Sequence, residues 1–419
     1  MQDSLICKSF VLKIASRCNL NCKYCFMYNK GDTSYKNQPK VMSKETVDQF
    51  LNRVKDHFTK RDINDNPIFS FHGGEPLLAG KDFFKYFVSK ANEVLLSVNI
   101  QPVFTVQTNG TLIDDEWCKL FHDNNIFVGI SIDGEKKNND ENRIYHSGKG
   151  SYDDVIKGLN RVLNYKDLGL RTGVLSVINL EADPIETYLH FKRLGIKSFD
   201  FLLPDYIYDE IEIIKTESKN ISYSSWLIKM FDYWIKDRDQ PRIRFFNGMI
   251  DAILGGDFAN DTLGEMGNEL LVIETNGGYE AVDVLKICGE GFTKEGANVF
   301  NSSVDEALQT DLANLYHQSH KILNEKCQKC LIQKVCGGGY LPHRYSKKNG
   351  FDNPSVYCED LMCLITHIQN TVLDLIPSNL MKQVEVRKIT YEEALDVISV
   401  FDPKAINKRL YSFIKEESI

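Results

Sequence analysis

The chain has 419 residues, 42% of them hydrophobic and 26% charged, with a formal net charge of −8. That is room for two domains and an ample core, and it argues against a broad basic footprint for nucleic acid. No apolar run reaches the roughly 20 residues of a membrane helix, and Lys8 and Lys13 interrupt any signal-peptide core, so eleven cysteines read as metal ligands in a reducing cytoplasm rather than as disulfides.

In chain order, strands are predicted at 8–15, 67–72, 101–107, 126–132, 171–178 and 198–203, the first from the alternation of Phe10, Leu12 and Ile14. Helical patterns fall between them. One starts at Ser43 as N-cap and keeps Val47, Phe50, Leu51, Val54 and Phe58 on one face; others lie near 81–97, 114–123, 152–166 and 184–194. Six βα units in succession predict an α/β fold with a parallel sheet and outer helices. Six rather than eight predict a partial TIM-like (β/α)6 barrel with its site at the C-terminal strand ends. Past residue 205 an aromatic-rich helix is predicted at 222–237, with Trp226, Met230, Phe231 and Trp234 read as core. Leu270–Tyr279 then reads as a hairpin turning at Asn276-Gly277. A loop-rich cysteine segment spans 326–363, and amphipathic helices follow from 364, broken at Pro377 and Pro403.

Chemistry-bearing motifs follow the strands. Cys18, Cys22 and Cys25 form a CX3CX2C loop after the first strand. Three thiolates suit a [4Fe–4S] cubane, which normally takes four, and so leave one iron open to another ligand. A zinc knuckle, or a cluster completed by a distant cysteine, is the competing reading. Phe71-His72-Gly73-Gly74-Glu75-Pro76 follows the second strand: the glycines allow close backbone approach to a ligand, and Glu75 offers a carboxylate to an ammonium group. Gln107-Thr108-Asn109-Gly110 follows the third strand with groups suited to ribose hydroxyls. Ser131-Ile132-Asp133-Gly134, with Arg143 beyond, follows the fourth and offers a hydroxyl and a guanidinium to a carboxylate. Singly, each also reads as a turn or cap.

Together these motifs resemble the radical S-adenosylmethionine superfamily over residues 8–205. The resemblance implies that Cys18, Cys22 and Cys25 hold a reductive [4Fe–4S] cluster. It places Gly73, Gly74 and Glu75 at the methionyl amino group of S-adenosylmethionine, Asn109 at the ribose, and Ser131 and Arg143 at the carboxylate. It further implies the cofactor's chemistry: an electron from a flavodoxin- or ferredoxin-type donor cleaves the C5′–S bond, and the 5′-deoxyadenosyl radical takes a substrate hydrogen.

A second cysteine set comprises Cys327, Cys330, Cys336 and Cys358. Four thiolates suit either one more cubane or a structural zinc, and spacing alone leaves both open. Joined to the barrel and the hairpin, the set resembles the SPASM extension of peptide-modifying radical enzymes, which implies an auxiliary [4Fe–4S] cluster. Tyr340 stands where that extension's usual run has its last cysteine, and only Cys288 is available upstream, so one auxiliary cluster is expected rather than two. Cys363 reads as a buried thiol, and Cys7 and Cys118 as core. The expected domains are a barrel over 1–220, a helical bridge over 221–265, a SPASM-like domain over 266–365 and a helical tail over 366–419.

The run Cys336–Tyr345, with Phe351–Cys358, Glu274-Thr275-Asn276-Gly277 and Val282-Asp283, is similar to the maturases that build three-residue cyclophanes in ribosomal precursor peptides. That similarity implies a crosslink from an aromatic ring carbon to the β-carbon of a residue two positions later. Thioether formation, epimerisation or formylglycine generation are the alternatives. A crosslink also needs a proton acceptor, for which Asp283, Glu274 and His343 are candidates; each also reads as a satisfied structural residue.

Overall fold

The computed structural model describes residues 5–218, 221–257, 261–377, 387–399 and 407–413; Pro403 lies outside them. The chain divides into two compact units that alternate along the sequence. The first holds Met1–Val177, Phe191–Leu202 and Glu269–His317, and the second Ile178–His190, Leu203–Asn268 and Gln318–Ile419.

In the first unit, strands β1 (Ser9–Ala15), β2 (Ile68–Gly73), β3 (Val103–Thr108), β4 (Phe127–Ser131), β5 (Thr172–Val177) and β6 (Ser198–Leu202) pair in parallel, each with the next in sequence. Helices α1 (Lys44–Lys60), α2 (Lys81–Leu96), α3 (Asp115–Asp123), α4 (Lys136–Asn142) and α5 (Tyr152–Asn164) supply its crossovers, and α6 (Pro184–Arg193), which follows β5 in sequence, falls mostly in the second unit. This is the partial (β/α)6 barrel read from the alternation. One strand was not foreseen as part of it. β7 (Leu270–Ile273) pairs in parallel with β1 and turns at Asn276-Gly277 into antiparallel β8 (Tyr279–Glu280). Glu269–His317 therefore groups with the barrel, across the boundary expected at 266, because β7 takes the free edge of β1.

Side-chain alternation sorts the sheet into two faces. Phe10, Phe69, Phe71 and Phe104 meet Phe50 of α1 and Phe84 and Phe87 of α2, with ring centroids 4.5–6.5 Å apart along this cluster. Truncating such a ring, as in Phe69→Ala, costs about 3–5 kcal/mol. The residues between them, Lys13, Ser70, His72, Thr105, Gln107 and Ser131, take the opposite, inner face, which is therefore polar. A wholly apolar core would waste those positions; an interior that works on a polar ligand needs them. At the start of α1, Ser43 accepts the Thr46 amide at 3.0 Å, as its cap position requires.

In the second unit, α7 (Tyr223–Trp234), α8 (Arg244–Ile253) and α9 (Cys358–Leu375) carry the core. Trp226, Met230, Phe231 and Trp234 are all buried, Phe231 stacks edge-on against Phe246 of α8 at 5.4 Å, and Trp226 Nε1 donates to Ala182 O at 2.7 Å. The aromatic stripe is packing, as its period indicated. No helix among the described residues is long and apolar enough to cross a membrane.

Candidate functional site

The CX3CX2C loop leaves the C-terminal end of β1 and is pinned by backbone bonds to the end of α4 and the residues after it: Lys23 N–Asn142 O at 3.0 Å and Asn21 N–Ile144 O at 2.7 Å. A tight turn, Cys25 N to Cys22 O at 3.1 Å, sets the last two thiols, and the Leu20 amide points at Cys18 Sγ from 3.4 Å. All three thiols are partly buried. Burial, then the Glu75 carboxylate, pushes Cys18 up to about 12; burial, then Cys22, pushes Cys25 up to about 11. Three thiols crowded so that none ionises readily suit a cationic partner that takes all three as thiolates.

The motifs after β2, β3 and β4 lock onto this loop. A Cβ at Gly73 would lie 2.2 Å from Ala15 O, and one at Gly74 would lie 2.0 Å from the Tyr28 hydroxyl. The two glycines thus admit the β1 backbone and the cluster loop. Glu75 is buried and accepts from Thr108 Oγ1 at 2.7 Å, the Asn109 amide at 2.8 Å and the Leu77 amide at 3.0 Å. Its carboxylate ties β2 to β3, whereas the resemblance had given it to the amino group of a ligand. Asn109 Nδ2 reaches Asn19 Oδ1 at 2.9 Å and Cys18 Sγ at 3.8 Å, so this residue too positions the cysteine loop. Ser131 Oγ accepts from Gln107 Nε2 at 2.7 Å on the inner face.

Arg143, at the end of α4, is buried and donates from Nη1 to the Tyr24 hydroxyl at 2.8 Å; Tyr24 in turn donates to Asp133 Oδ2 at 2.5 Å. Tyr24 lies between Cys22 and Cys25, so this chain fixes the guanidinium against the cluster loop. Burial raises Asp133 above the usual carboxylate range, and Arg143 opposes that rise. The Arg143 Nε–H is buried and has no partner among the described residues. A guanidinium N–H left unpaired near Cys22 fits an anionic group of a bound ligand, because an orphaned buried donor costs about 1–3 kcal/mol. Asp133 was quoted in its motif without this role; only the fold brings it and Tyr24 to Arg143.

Of the three proton-acceptor candidates, Asp283 stands on the barrel's inner face. It forms an ion pair with Lys13 of β1, whose Nζ also lies 3.1 Å from His72 Nδ1 on the paired position of β2. Burial works to raise Asp283, but Lys13 and then His72 hold it below the usual carboxylate range. Burial and then Lys13 push His72 down to about 4, so it stays neutral. Asp283 is therefore a carboxylate at neutral pH. Glu274 is elsewhere engaged: Lys286 Nζ lies 3.1 Å from its Oε1 and 2.7 Å from Glu280 Oε2. Burial and then Glu274 push Glu280 up to about 7. His343 belongs to the second unit, where its ring meets Tyr340 at 5.4 Å and Tyr357 at 5.0 Å, with Asp205 3.5 Å from its Nε2. The sequence reading gave Lys13 and His72 no role in the site, although a lysine at an inner position of a first strand is a signal for a buried partner.

Within the second unit, Cys327, Cys330, Cys336 and Cys358 line one cavity, together with Ile332, Ser355 and Met362. A single ion would draw four thiolates to about 2.3 Å from one point. Among the described residues, no three or more His, Cys, Asp or Glu side chains close on such a point. Burial is the first cause that raises all four thiols, Cys336 to about 12 and Cys327 to about 11. Cys363, on α9, is not part of the lining. Cys288 is buried in the first unit, and Cys7 and Cys118 are core.

Residues 12–181 match the model of the Radical SAM superfamily. Over 365 residues the chain is 29% identical to the Cysteine-type anaerobic sulfatase-maturating enzyme of Clostridium novyi (strain NT), covering 84% of this chain and 92% of that protein. It is 26% identical over 394 residues to the Serine-type enzyme of Bacteroides thetaiotaomicron, covering 89% and 92%. In fold it is similar to native anSMEcpe with bound AdoMet, at TM-score 0.74 and 24% identity over 88% of this chain and 98% of that one. It is also similar to Streptococcus suis SuiB bound to precursor peptide SuiA, at TM-score 0.53 and 18% identity over 80% and 72%.

Proposed function

Because the chain carries a radical S-adenosylmethionine domain with a C-terminal extension, we propose that it modifies a peptide by removing a side-chain β-hydrogen and joining that β-carbon to an aromatic ring carbon. S-adenosylmethionine and a [4Fe–4S] cluster supply the hydrogen-abstracting radical when bound, and an auxiliary cluster is expected in the extension. Cys18, Cys22 and Cys25 would hold the first cluster, with Asn109 and Glu75 fixing their loop. Arg143, through its unpaired Nε–H, would take the ligand's carboxylate, with Ser131 as a further contact. Ring formation then demands the loss of one proton and one electron. The observation that carries the reading is Asp283, a carboxylate held anionic by Lys13 on the polar inner face, which supplies the proton's destination. Cys327, Cys330, Cys336 and Cys358 would hold the cluster that takes the electron.

The substrate would be a ribosomally made precursor peptide, and the electron source a flavodoxin- or ferredoxin-type protein. A second reading, oxidation of a peptide cysteine or serine to formylglycine, is favoured by the sulfatase-maturating relatives and their 92% coverage. What supports the crosslink is the cysteine inventory: one complete set of four, with Tyr340 in place of a further ligand. Coexpression with a small precursor encoded nearby, followed by mass spectrometry, tests the two readings. A crosslinked product lacks two hydrogens and gives no adduct with hydroxylamine; a trapped aldehyde would favour formylglycine.

Two further results are expected. Arg143→Ala should weaken S-adenosylmethionine binding to the reconstituted protein by roughly 1.5–3 kcal/mol, or about 10–150-fold in Kd. An unchanged Kd would remove Arg143 from the site. Replacing Cys18, Cys22 and Cys25 together should leave about 4 irons per chain of the roughly 8 in the intact protein. About 8 irons in that variant would mean a further auxiliary cluster, and zinc without iron would remove the electron acceptor.

A further inference from the structure

Arg344 is among the largest fully buried side chains of the protein, at 1% exposure. Its Nε donates to Gly338 O at 2.9 Å and its Nη1 to Ser319 O at 2.7 Å. Its Nη2 donates to Gly337 O at 2.8 Å and Gly339 O at 2.5 Å. Carbonyls satisfy its hydrogen bonds but carry no net charge; Gly338, whose carbonyl it holds, lines the cavity of the four cysteines, and the groups that favour its charge are the thiols of Cys327 and Cys336. The backbone is shaped around it. Gly337, Gly338 and Gly339 have φ of +57°, +78° and +72°, which only glycine adopts readily in succession. A Cβ at Gly338 would lie 2.9 Å from Arg344 Cζ. A guanidinium buried without an anion is costly. Four thiolates on an oxidised cubane carry a net charge of roughly −2, and one more electron adds to it. The buried cation thus faces a site whose charge grows on reduction.

We propose that Arg344 sets the reduction potential of the cluster held by Cys327, Cys330, Cys336 and Cys358, favouring its reduced form so that it accepts the electron released in ring closure. This rests on the auxiliary-cluster reading above. In water the effect of one charge would be small; in the buried, low-dielectric setting of these thiols it is large.

The test is an anaerobic redox titration of the full holoenzyme, followed by electron paramagnetic resonance, on the native protein, Arg344→Gln and Arg344→Lys. Iron content of the native protein is measured first: about 4 irons rather than about 8 would overturn the auxiliary-cluster reading itself. Given about 8, Arg344→Gln should move the auxiliary potential to more negative values. Arg344→Lys, which keeps the charge but loses most of the carbonyl bonds, should stay nearer the native value. The barrel cluster, identified by its response to S-adenosylmethionine, should not move. An unchanged auxiliary potential in Arg344→Gln, or equal shifts in both variants, would overturn the proposal. So would loss of the auxiliary irons from both, since Arg344 would then serve only to anchor the ligand loop.

Discussion

Cys22→Ala is expected to abolish cleavage of S-adenosylmethionine to 5′-deoxyadenosine while leaving the protein folded. The thiol sits on a loop outside the core, partly buried, and the loop's backbone is held by Ile144 and Asn142, not by the side chain. Removing one sulfur therefore leaves no large cavity of the kind that costs 2–5 kcal/mol in a core. It does leave two protein ligands, too few to hold a cubane with one open iron. Deoxyadenosine formation should fall below detection, with circular dichroism and thermal midpoint near those of the native protein. Sustained deoxyadenosine production by this variant would show that the loop does not bind the reactive cluster.

The second large effect is expected from Asp283→Asn. The amide is nearly isosteric but accepts no proton from a reaction intermediate, and losing a positioned general base costs roughly 10²–10⁴-fold. The variant should still form deoxyadenosine and consume peptide hydrogens, while mature product falls by that factor. The change also strands the Lys13 ammonium in a buried site, and breaking one side of a buried pair costs about 3–5 kcal/mol. The pH dependence has a fixed sign. Asp283 is held below its unfolded value, so its contribution to stability is present above that value and is lost as pH falls through the folded one. Product formation should fall on the same acid limb and be flat through neutrality. Full product yield from Asp283→Asn would move the proton to another acceptor.

Most of the barrel was legible because parallel strands covered by helices leave a strong local signature. β1, β2 and β3 announce themselves through Phe10, Phe69, Phe71 and Phe104 on one face, and the turns that follow carry glycine and polar residues. β7 was not legible as a barrel strand. Four apolar residues before an Asn-Gly turn specify a hairpin, and nothing local says which edge they will join more than 250 residues back along the chain. The same separation hid the ion pair of Lys13 with Asp283, since each reads alone as an ordinary charged residue. Arg344 was hidden differently. Its partners are backbone carbonyls, which have no side-chain signature, and the three glycines that present them read as a flexible turn. Glu75 and Asn109 were found by motif, but their bonds to neighbouring loops appear only once β2 and β3 stand side by side.

The proposed reaction begins with removal of a β-hydrogen from a residue within a peptide. It is tested most directly by incubating the anaerobically reconstituted protein with S-adenosylmethionine, a reductant and a precursor peptide deuterated at its β-carbons. The expected result is one deuterium transferred into 5′-deoxyadenosine for each modified peptide, with the transfer lost in Cys22→Ala. Unlabelled deoxyadenosine accompanying a fully modified peptide would contradict it.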